Sequence, residues 1–261
     1  MRVALYGATG RMGRELVACA SASGAEIVNA FARRAKGEDL GTFHGTSAVG
    51  VQIEDAEGAL DLADVDVVID FSLPVACGAI FRAATESGTP LVSGTTGLGP
   101  EEERLLSALA EKAPVVWAPN FSQGVVVLKH VLHRAAKALG DAYDAEIVEM
   151  HHREKRDAPS GTALFLAEAA AEAKGLSKDD LQNGWPAKRE HTAVGLHAVR
   201  GGTIVGEHTA ILAGPGERIE LTHRAGERAI FARGALRAAR FVAAKRAPGR
   251  YTMEDVLGLA T

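Results

Sequence analysis

The sequence predicts an α/β chain: a doubly wound parallel sheet domain, then a second α+β domain with a mixed sheet. Three observations predict it. Up to about residue 120, short apolar runs alternate with alanine- and leucine-rich stretches of helical length, the pattern of a parallel sheet wound with helices. A glycine-rich turn follows the first apolar run at once. Beyond Asn120 the alternation gives way to strand-like runs with few helices between them, which points to a separate sheet domain. The expected boundaries are residues 1–120 for the first domain, with 232–261 packing back on it, and 121–231 for the second.

Composition limits the function classes. With 261 residues, 47% of them hydrophobic, the chain can bury one large core or two modest ones. A net charge of −4 and the lack of any long basic run give no support for a nucleic-acid partner. No apolar stretch approaches the length of a membrane span, so no membrane partner is expected. The run Val3–Tyr6 is too short for a signal-peptide core and reads as a buried first strand. Cys19 and Cys77 fall in predicted helices and form no close pair, as expected of a reduced, cytoplasmic protein.

The first strand, Arg2–Tyr6, runs into Gly7-Ala8-Thr9-Gly10-Arg11-Met12-Gly13, and a helix is expected from Arg11 to about Ala22. Strand, glycine turn and helix in that order make a dinucleotide-binding turn, hence a Rossmann-like first domain. Gly7 allows the tight turn, Gly10 lets backbone approach a pyrophosphate, and Gly13 permits close helix–strand packing. The spacing is G-x-x-G-x-x-G, not the commoner G-x-G-x-x-G. The next strand, Glu26–Phe31, should end where the adenine ribose sits. It is followed by Ala32-Arg33-Arg34, with no acid to bind a 2′-hydroxyl and two cations that suit a 2′-phosphate. That charge pattern favours NADPH over NADH. A merely solvated arginine is as good a reading for Arg34, and a weaker one for Arg33.

Strand Val65–Asp70, a helix from Pro74 to about Ser87, strand Pro90–Ser93, a helix from Pro100 to Ala113 and strand Val115–Ala118 complete the alternation. Ligands bind at the carboxyl ends of such strands. Those ends carry Asp70-Phe71-Ser72, Gly94-Thr95-Thr96-Gly97 and Ala118-Pro119-Asn120-Phe121-Ser122. The small, hydroxyl-rich Gly94–Gly97 loop suits a nicotinamide ribose or carboxamide.

After a helix from Gly124 to Leu139, strand Ala145–Met150 delivers the most informative segment, residues 151–163: His-His-Arg-Glu-Lys-Arg-Asp-Ala-Pro-Ser-Gly-Thr-Ala. Ala163–Lys174 is a strong helix former and Gly175 a stop. Ser160 or Thr162 then lies at or near an N-cap, above backbone N–H groups that can seat a carboxylate or phosphate. Alone, Ser-Gly-Thr reads as an ordinary cap. With His151, His152 and Lys155 in the same segment it reads as a site for a small carboxylate, equipped with proton donors. Later strand-like runs are Leu196–Arg200, Thr203–Leu212 and Arg218–His223, with Gly201-Gly202 as a hairpin-like turn between the first two. A last helix is expected from Ala229 to about Arg246.

Taken together, these motifs resemble the 4-hydroxy-tetrahydrodipicolinate reductase (dihydrodipicolinate reductase) family over essentially the whole chain. The most specific part is Glu149-x-His151-His152-x-x-Lys155-x-Asp157-x-Pro159-Ser160-Gly161-Thr162-Ala163. The Gly10–Gly13 turn, Gly94–Gly97, Asn120-Phe121-Ser122 and Gly206-Glu207-His208-Thr209 also match its landmarks. The resemblance implies a homotetramer of the diaminopimelate route to lysine, reducing a small cyclic dicarboxylate with NADPH or NADH. It implies that Gly7, Ala8, Thr9, Gly10, Arg11, Met12, Gly94, Thr95, Thr96, Ala118, Pro119, Asn120 and Phe121 line the cofactor, with Arg33 at its 2′-phosphate. It places His152, Lys155, Ser160, Gly161, Thr162 and, less specifically, Arg228 around the substrate. His151 is the implied proton donor, with Lys155 as second donor and carboxylate clamp. Ala32 departs from the acid that many members carry, which puts efficient NADH use in doubt.

Two rival readings come from other classes. A non-catalytic NADPH-binding regulator would share the glycine turn but has no use for His151, Lys155 and the Ser160–Thr162 seat together. A metal hydrolase would use His151 and His152, with His208 as a candidate third ligand. Adjacent strand residues point to opposite faces and the neighbouring cations disfavour a metal, so none is expected. His130 and His133 share a helix face without a third ligand and read as surface or interface residues. His191, His197 and His223 sit among ordinary polar neighbours. Hinges are expected near Asn120–Gln123 and near Phe231, closing a cleft on the bound ligands.

Overall fold

The apolar runs of the first 120 residues pair into six strands of a parallel sheet, and a seventh strand comes from residues 249–251. The computed structural model describes residues 1–185, 187–189, 193–244 and 247–259. His191 and the expected end of the last helix at Arg246 lie outside the described residues. The chain divides into two units, Met1–Ser122 with Ala229–Thr261, and Gln123–Arg228.

The first unit contains β1 (Arg2–Tyr6), α1 (Arg11–Ala20), β2 (Glu26–Ala32), α2 (Leu40–Phe43), β3 (Ile53–Asp55), β4 (Val67–Asp70), α3 (Pro74–Ser87), β5 (Leu91–Ser93), α4 (Pro100–Ala110) and β6 (Pro114–Trp117). After the second unit come α7 (Ala229–Ala243), β12 (Gly249–Tyr251) and α8 (Met253–Leu257). The strand order is β12-β6-β5-β4-β1-β2-β3. Every pairing is parallel. Helices cover such a sheet on both faces, which is why its strands are continuously apolar rather than alternating. Val3–Tyr6 and Val67–Asp70 are buried throughout. Phe31, Val68, Ile80, Phe81, Leu91, Leu106 and Val115 share one core. On α7, Ala232, Ala235, Leu236 and Ala239 are buried against β4, β5, β6 and α1. Small side chains at those positions let the helix lie close to the strands.

The second unit contains α5 (Gln123–Leu139), β7 (Asp144–His151), α6 (Gly161–Ala173), β8 (Leu181–Asn183), β9 (Val194–Arg200), β10 (Glu207–Gly214) and β11 (Glu217–Arg224). Its sheet runs β11-β10-β7-β9-β8 and is mixed. β9 lies parallel to β7 and β8, while β10 is antiparallel to β7 and β11. Along β7 every second residue is buried, so Ala145, Ile147, Glu149 and His151 share one face. Ala145 and Ile147 pack there with Leu132 of α5 and Leu166 and Ala170 of α6.

One expectation is overturned. Gly201-Gly202 does not close a hairpin between its flanking strands, because β7 lies between β9 and β10 in the sheet. Both edges of β9 are already taken by β7 and β8, so residues 203–206 cross to the far side and β10 begins only at Glu207. The hairpin of this sheet joins β10 to β11 through Pro215-Gly216, where Gly216 adopts φ +83°. The short α2, β3, β8, β12 and α8 have too few residues to show a period in sequence.

Candidate active site

β7 ends at His151, and Glu149, two residues earlier, shares its face. Glu149 is wholly buried. Its carboxylate accepts the Nδ1–H of His151 at 2.6 Å, both terminal nitrogens of Arg200 at 2.7 Å, and the backbone N–H of Ser160 at 3.0 Å. Burial pushes its pKa up, but the bonds from Arg200 and His151 outweigh burial and hold it below the usual carboxylate range. An ionised Glu149 fixes the His151 proton on Nδ1, which leaves Nε2 as the ring nitrogen turned away from that carboxylate. Opposite Nε2 stands Gly206, where an added Cβ would lie 3.0 Å from that nitrogen. A bare backbone there keeps the nitrogen clear.

His208 pairs across the sheet with Glu149 and meets the His151 ring edge-on, with centroids 5.2 Å apart. Its Nε2 lies 3.1 Å from Ser160 Oγ. Burial, and secondly the nearby His151, push its pKa down to about 4. Ser160 caps α6, its Oγ accepting the Ala163 N–H at 3.1 Å. Gly161 and Thr162 open the helix, so the expected N-terminal seat lies beside the Glu149–His151 pair. Lys155 Nζ donates to Asp157 Oδ1 at 2.8 Å. That bond holds Asp157 below its usual range. His152 and Arg228 line one cavity of about 620 Å³ with Arg153, Thr203 and Val205.

Sequence reasoning placed Glu149 and His208 only as landmarks of the resemblance, with His208 also a candidate metal ligand, and did not single out Arg200. Alternation along β7 could have put Glu149 beside His151. No local pattern shows Arg200, which reaches Glu149 because β9 lies parallel to β7 with His151 opposite Arg200. His197 is also more than an ordinary surface histidine, since its Nε2 lies 2.7 Å from Glu146 Oε2.

In the first unit the glycine turn has the required form. Gly7 sits at φ +81°, where a Cβ would fall 2.6 Å from the Phe71 carbonyl oxygen. A Cβ on Gly13 would fall 2.0 Å from the Ala8 carbonyl oxygen. Gly10 is the N-cap of α1, so the turn presents free N–H groups at a helix start. A cavity of about 400 Å³ is lined by Gly7, Thr9, Gly10, Ala32, Arg33, Arg34 and Ser72, among others. A pyrophosphate and a 2′-phosphate fit this donor set. Arg34 is not simply solvated. It donates to the Thr9 carbonyl at 3.1 Å and to Thr9 Oγ1 at 3.3 Å, and it lies over the Phe43 ring. Arg33 is exposed and makes no hydrogen bond or ion pair with the described residues. Ala8 is buried, Arg11 exposed and Met12 half-buried.

The strand-end loops are tied together by Asp70. Its carboxylate accepts from Ser72 N, Ser93 Oγ and Thr95 Oγ1 at 2.7–3.0 Å. Burial pushes its pKa up against those bonds. The Thr95 hydroxyl therefore faces the interior, and its carbonyl accepts the Trp117 indole N–H at 2.9 Å. Gly94 packs on the Phe71 ring and Thr96 is exposed. Ala118, Asn120 and Phe121 are buried, and Pro119 is exposed. Among the described residues no group of three or more His, Cys, Asp or Glu side chains is placed to hold a metal ion. None of the described helices is long and apolar enough to cross a membrane.

Comparison with known proteins decides the family. Residues 1–121 match the model for the N-terminus of dihydrodipicolinate reductase, and residues 124–257 match the model for its C-terminus. The chain belongs to the dihydrodipicolinate reductase family. A protein of Alkalilimnicola ehrlichii named 4-hydroxy-tetrahydrodipicolinate reductase is 48% identical over 99% of both chains. One of the same name from Archaeoglobus fulgidus is 46% identical over 98% of this chain and 100% of its own. The solved dipicolinate-bound dihydrodipicolinate reductase of Paenisporosarcina sp. TG-14 superposes with a TM-score of 0.76. It is 26% identical and covers 97% of each chain. The parallel sheet unit and the mixed sheet unit are thus the fold of this family.

Proposed function

We propose that this chain reduces 4-hydroxy-tetrahydrodipicolinate or dihydrodipicolinate to tetrahydrodipicolinate, as an NAD(P)H-dependent oxidoreductase. Full-length membership of the family, with both halves matched in order, carries this reading. The regulator reading gains nothing from it. Bound NADPH or NADH supplies the hydride.

The unit Met1–Ser122 with Ala229–Thr261 is the dinucleotide domain. Gly7, Ala8, Thr9, Gly10, Arg11 and Met12 hold the pyrophosphate, with the N-terminus of α1 behind them. Gly94, Thr95, Thr96 and Ala118–Phe121 line the nicotinamide end, with Asp70 bracing the Thr95 loop. Arg33, without a hydrogen-bond or ion-pair partner among the described residues and with Ala32 beside it, takes the 2′-phosphate, so NADPH is preferred. The unit Gln123–Arg228 holds substrate. Ser160, Gly161 and Thr162 seat one carboxylate at the start of α6, and His152, Lys155 and Arg228 supply the other polar contacts. His151 delivers a proton from Nε2 to the carbon left electron-rich by reduction. Glu149 keeps Nδ1 protonated and stabilises the imidazolium before transfer. Lys155 clamps carboxylate and serves as second donor. The same resemblance supports a homotetramer in the diaminopimelate route to lysine, and sedimentation analysis checks the assembly. The two cysteines, which form no disulfide, support a cytoplasmic location.

The deciding assay follows NADPH consumption with freshly made product of the synthase that precedes this step. Consumption dependent on enzyme and on that product is expected. No turnover with either nucleotide, in folded protein that binds dipicolinate (pyridine-2,6-dicarboxylate), would refute the reading.

A further inference from the structure

Ser160 Oγ has two lone pairs and one proton to distribute. One lone pair takes the Ala163 N–H at 3.1 Å. The other contact is His208 Nε2 at 3.1 Å, and His208 is 4% exposed with no partner for its Nδ1 among the described residues. Two tautomers are open to that ring. If Nε2 is bare, it consumes the Ser160 proton and leaves Nδ1–H buried without an acceptor. If Nε2 carries the proton, it fills the second lone pair of Oγ, and the orphan is only a bare ring nitrogen. Buried N–H groups without acceptors are rarer than under-used acceptors, so the second arrangement is favoured. Ser160 then has no acceptor for its own proton among the described residues, at the start of the helix proposed to seat a carboxylate.

We infer that His208 is a positioning residue for substrate: its Nε2–H fills Ser160 Oγ and frees the serine proton for the ligand carboxylate. This rests on the proposed substrate role of Ser160. The charged and titratable groups acting on the ring are His151, Glu149, His223 and Lys155. Burial first, then His151, His223 and Lys155, push its pKa down to about 4 against the opposing pull of Glu149, so the ring is neutral near pH 7 and a single tautomer suffices. Its edge contact with His151 is separate from the bond to Ser160 and survives replacement by another aromatic ring.

The test uses the full chain as wild type, His208→Phe, His208→Gln, Ser160→Ala and the Ser160→Ala/His208→Phe double variant. Each is titrated with dipicolinate in the presence of NADPH, and KM and kcat are measured for both substrates. His208→Phe keeps a ring beside His151 but removes the donor, so dipicolinate binding should weaken about tenfold, with a matching rise in KM for the dicarboxylate. KM for NADPH should hold and kcat should fall by less than about threefold, because the bond acts on substrate seating. His208→Gln, which restores an N–H donor, should recover most of the affinity. The double variant should lose no more than Ser160→Ala alone, since both changes remove one interaction. Wild-type dipicolinate affinity in His208→Phe, or additive losses in the double variant, would overturn the proposal. If Ser160→Ala itself binds dipicolinate normally, the serine seat is wrong instead, which separates the two failures. Should Phe not fold, His208→Met removes the donor in a flexible apolar chain and is read by the same criteria.

Discussion

At the residue scale, the buried Glu149 carboxylate organises the second unit. It gathers four donors from β7, β9 and the start of α6. Replacing it with Gln removes the charge that Arg200 and His151 face, and leaves the half-buried Arg200 guanidinium without its carboxylate. That should destabilise the chain by about 3–5 kcal/mol, measured by chemical denaturation at pH 7. Adding Arg200→Met should recover part of the loss. Because the folded pKa of Glu149 lies below its unfolded value, its contribution is present above the ordinary carboxylate range and is lost as pH falls through the depressed value. Glu149→Gln should therefore flatten the acid limb of the stability profile. An unchanged limb would show that the charge does not matter there. His151→Gln should lower kcat by roughly a hundredfold if proton delivery accompanies the slow step. Normal turnover in a folded variant would remove it from that role. For Lys155→Ala, both KM and kcat should worsen, whereas a change in thermal stability alone would make it structural.

Among the elements, two close approaches decide whether a substitution is tolerated. A side chain on Gly13 meets the Ala8 carbonyl at 2.0 Å, and this neighbour is backbone that cannot rotate away. Gly13→Ala should push α1 off β1, costing about 1–3 kcal/mol and weakening nucleotide binding. Calorimetry with NADPH checks both effects, and unaltered affinity would show that the turn absorbs the extra carbon. Gly206→Ala is the more delicate case, because a Cβ would sit 3.0 Å from His151 Nε2. The side chain must yield by a few tenths of an ångström, so kcat should fall while stability changes little. The helix cap is legible in sequence at Ser160, and Gly175 closes α6 in the left-handed region at φ +71°. Gly201-Gly202 has the local form of a hairpin turn but joins no hairpin, because a local Gly-Gly pair carries no information on which strand will lie between its neighbours.

For the whole molecule, cofactor choice and pH response are the properties to measure. Ala32→Glu with Arg33→Ala should move preference toward NADH, chiefly by weakening NADPH about tenfold. Dissociation constants for both nucleotides at low and high salt decide it. Equal wild-type affinities without salt dependence would defeat the claim. Arg34 is no substitute for Arg33 in that experiment, since it already holds the Thr9 carbonyl. On acidification, burial holds the folded pKa of His208 at about 4, well below the 6.5 of a free imidazole. Its contribution is complete above about 6.5, and is lost as pH falls through about 4, an amount on the order of 3 kcal/mol. The thermal midpoint of wild type should fall more steeply over that window than that of His208→Phe, and parallel curves would contradict the burial argument.

The sequence alone determined the fold class, the order of the long elements and the segments that bear chemistry. Apolar period, glycine turns and helix caps are local, so they can be read within a dozen residues. The family resemblance was equally legible, because its landmarks are short motifs in fixed order. Only the tertiary structure decided how these segments share their polar groups. It set β9 rather than β10 next to β7 on one side, which brings Arg200 onto Glu149 from 51 residues away. It turned the Thr95 hydroxyl inward onto Asp70, tied Arg34 to Thr9, and brought His208 to Ser160 across 48 residues. Strand order and burial made those choices: a buried polar group must find a partner, and which partner is near depends on which strands the sheet has made neighbours.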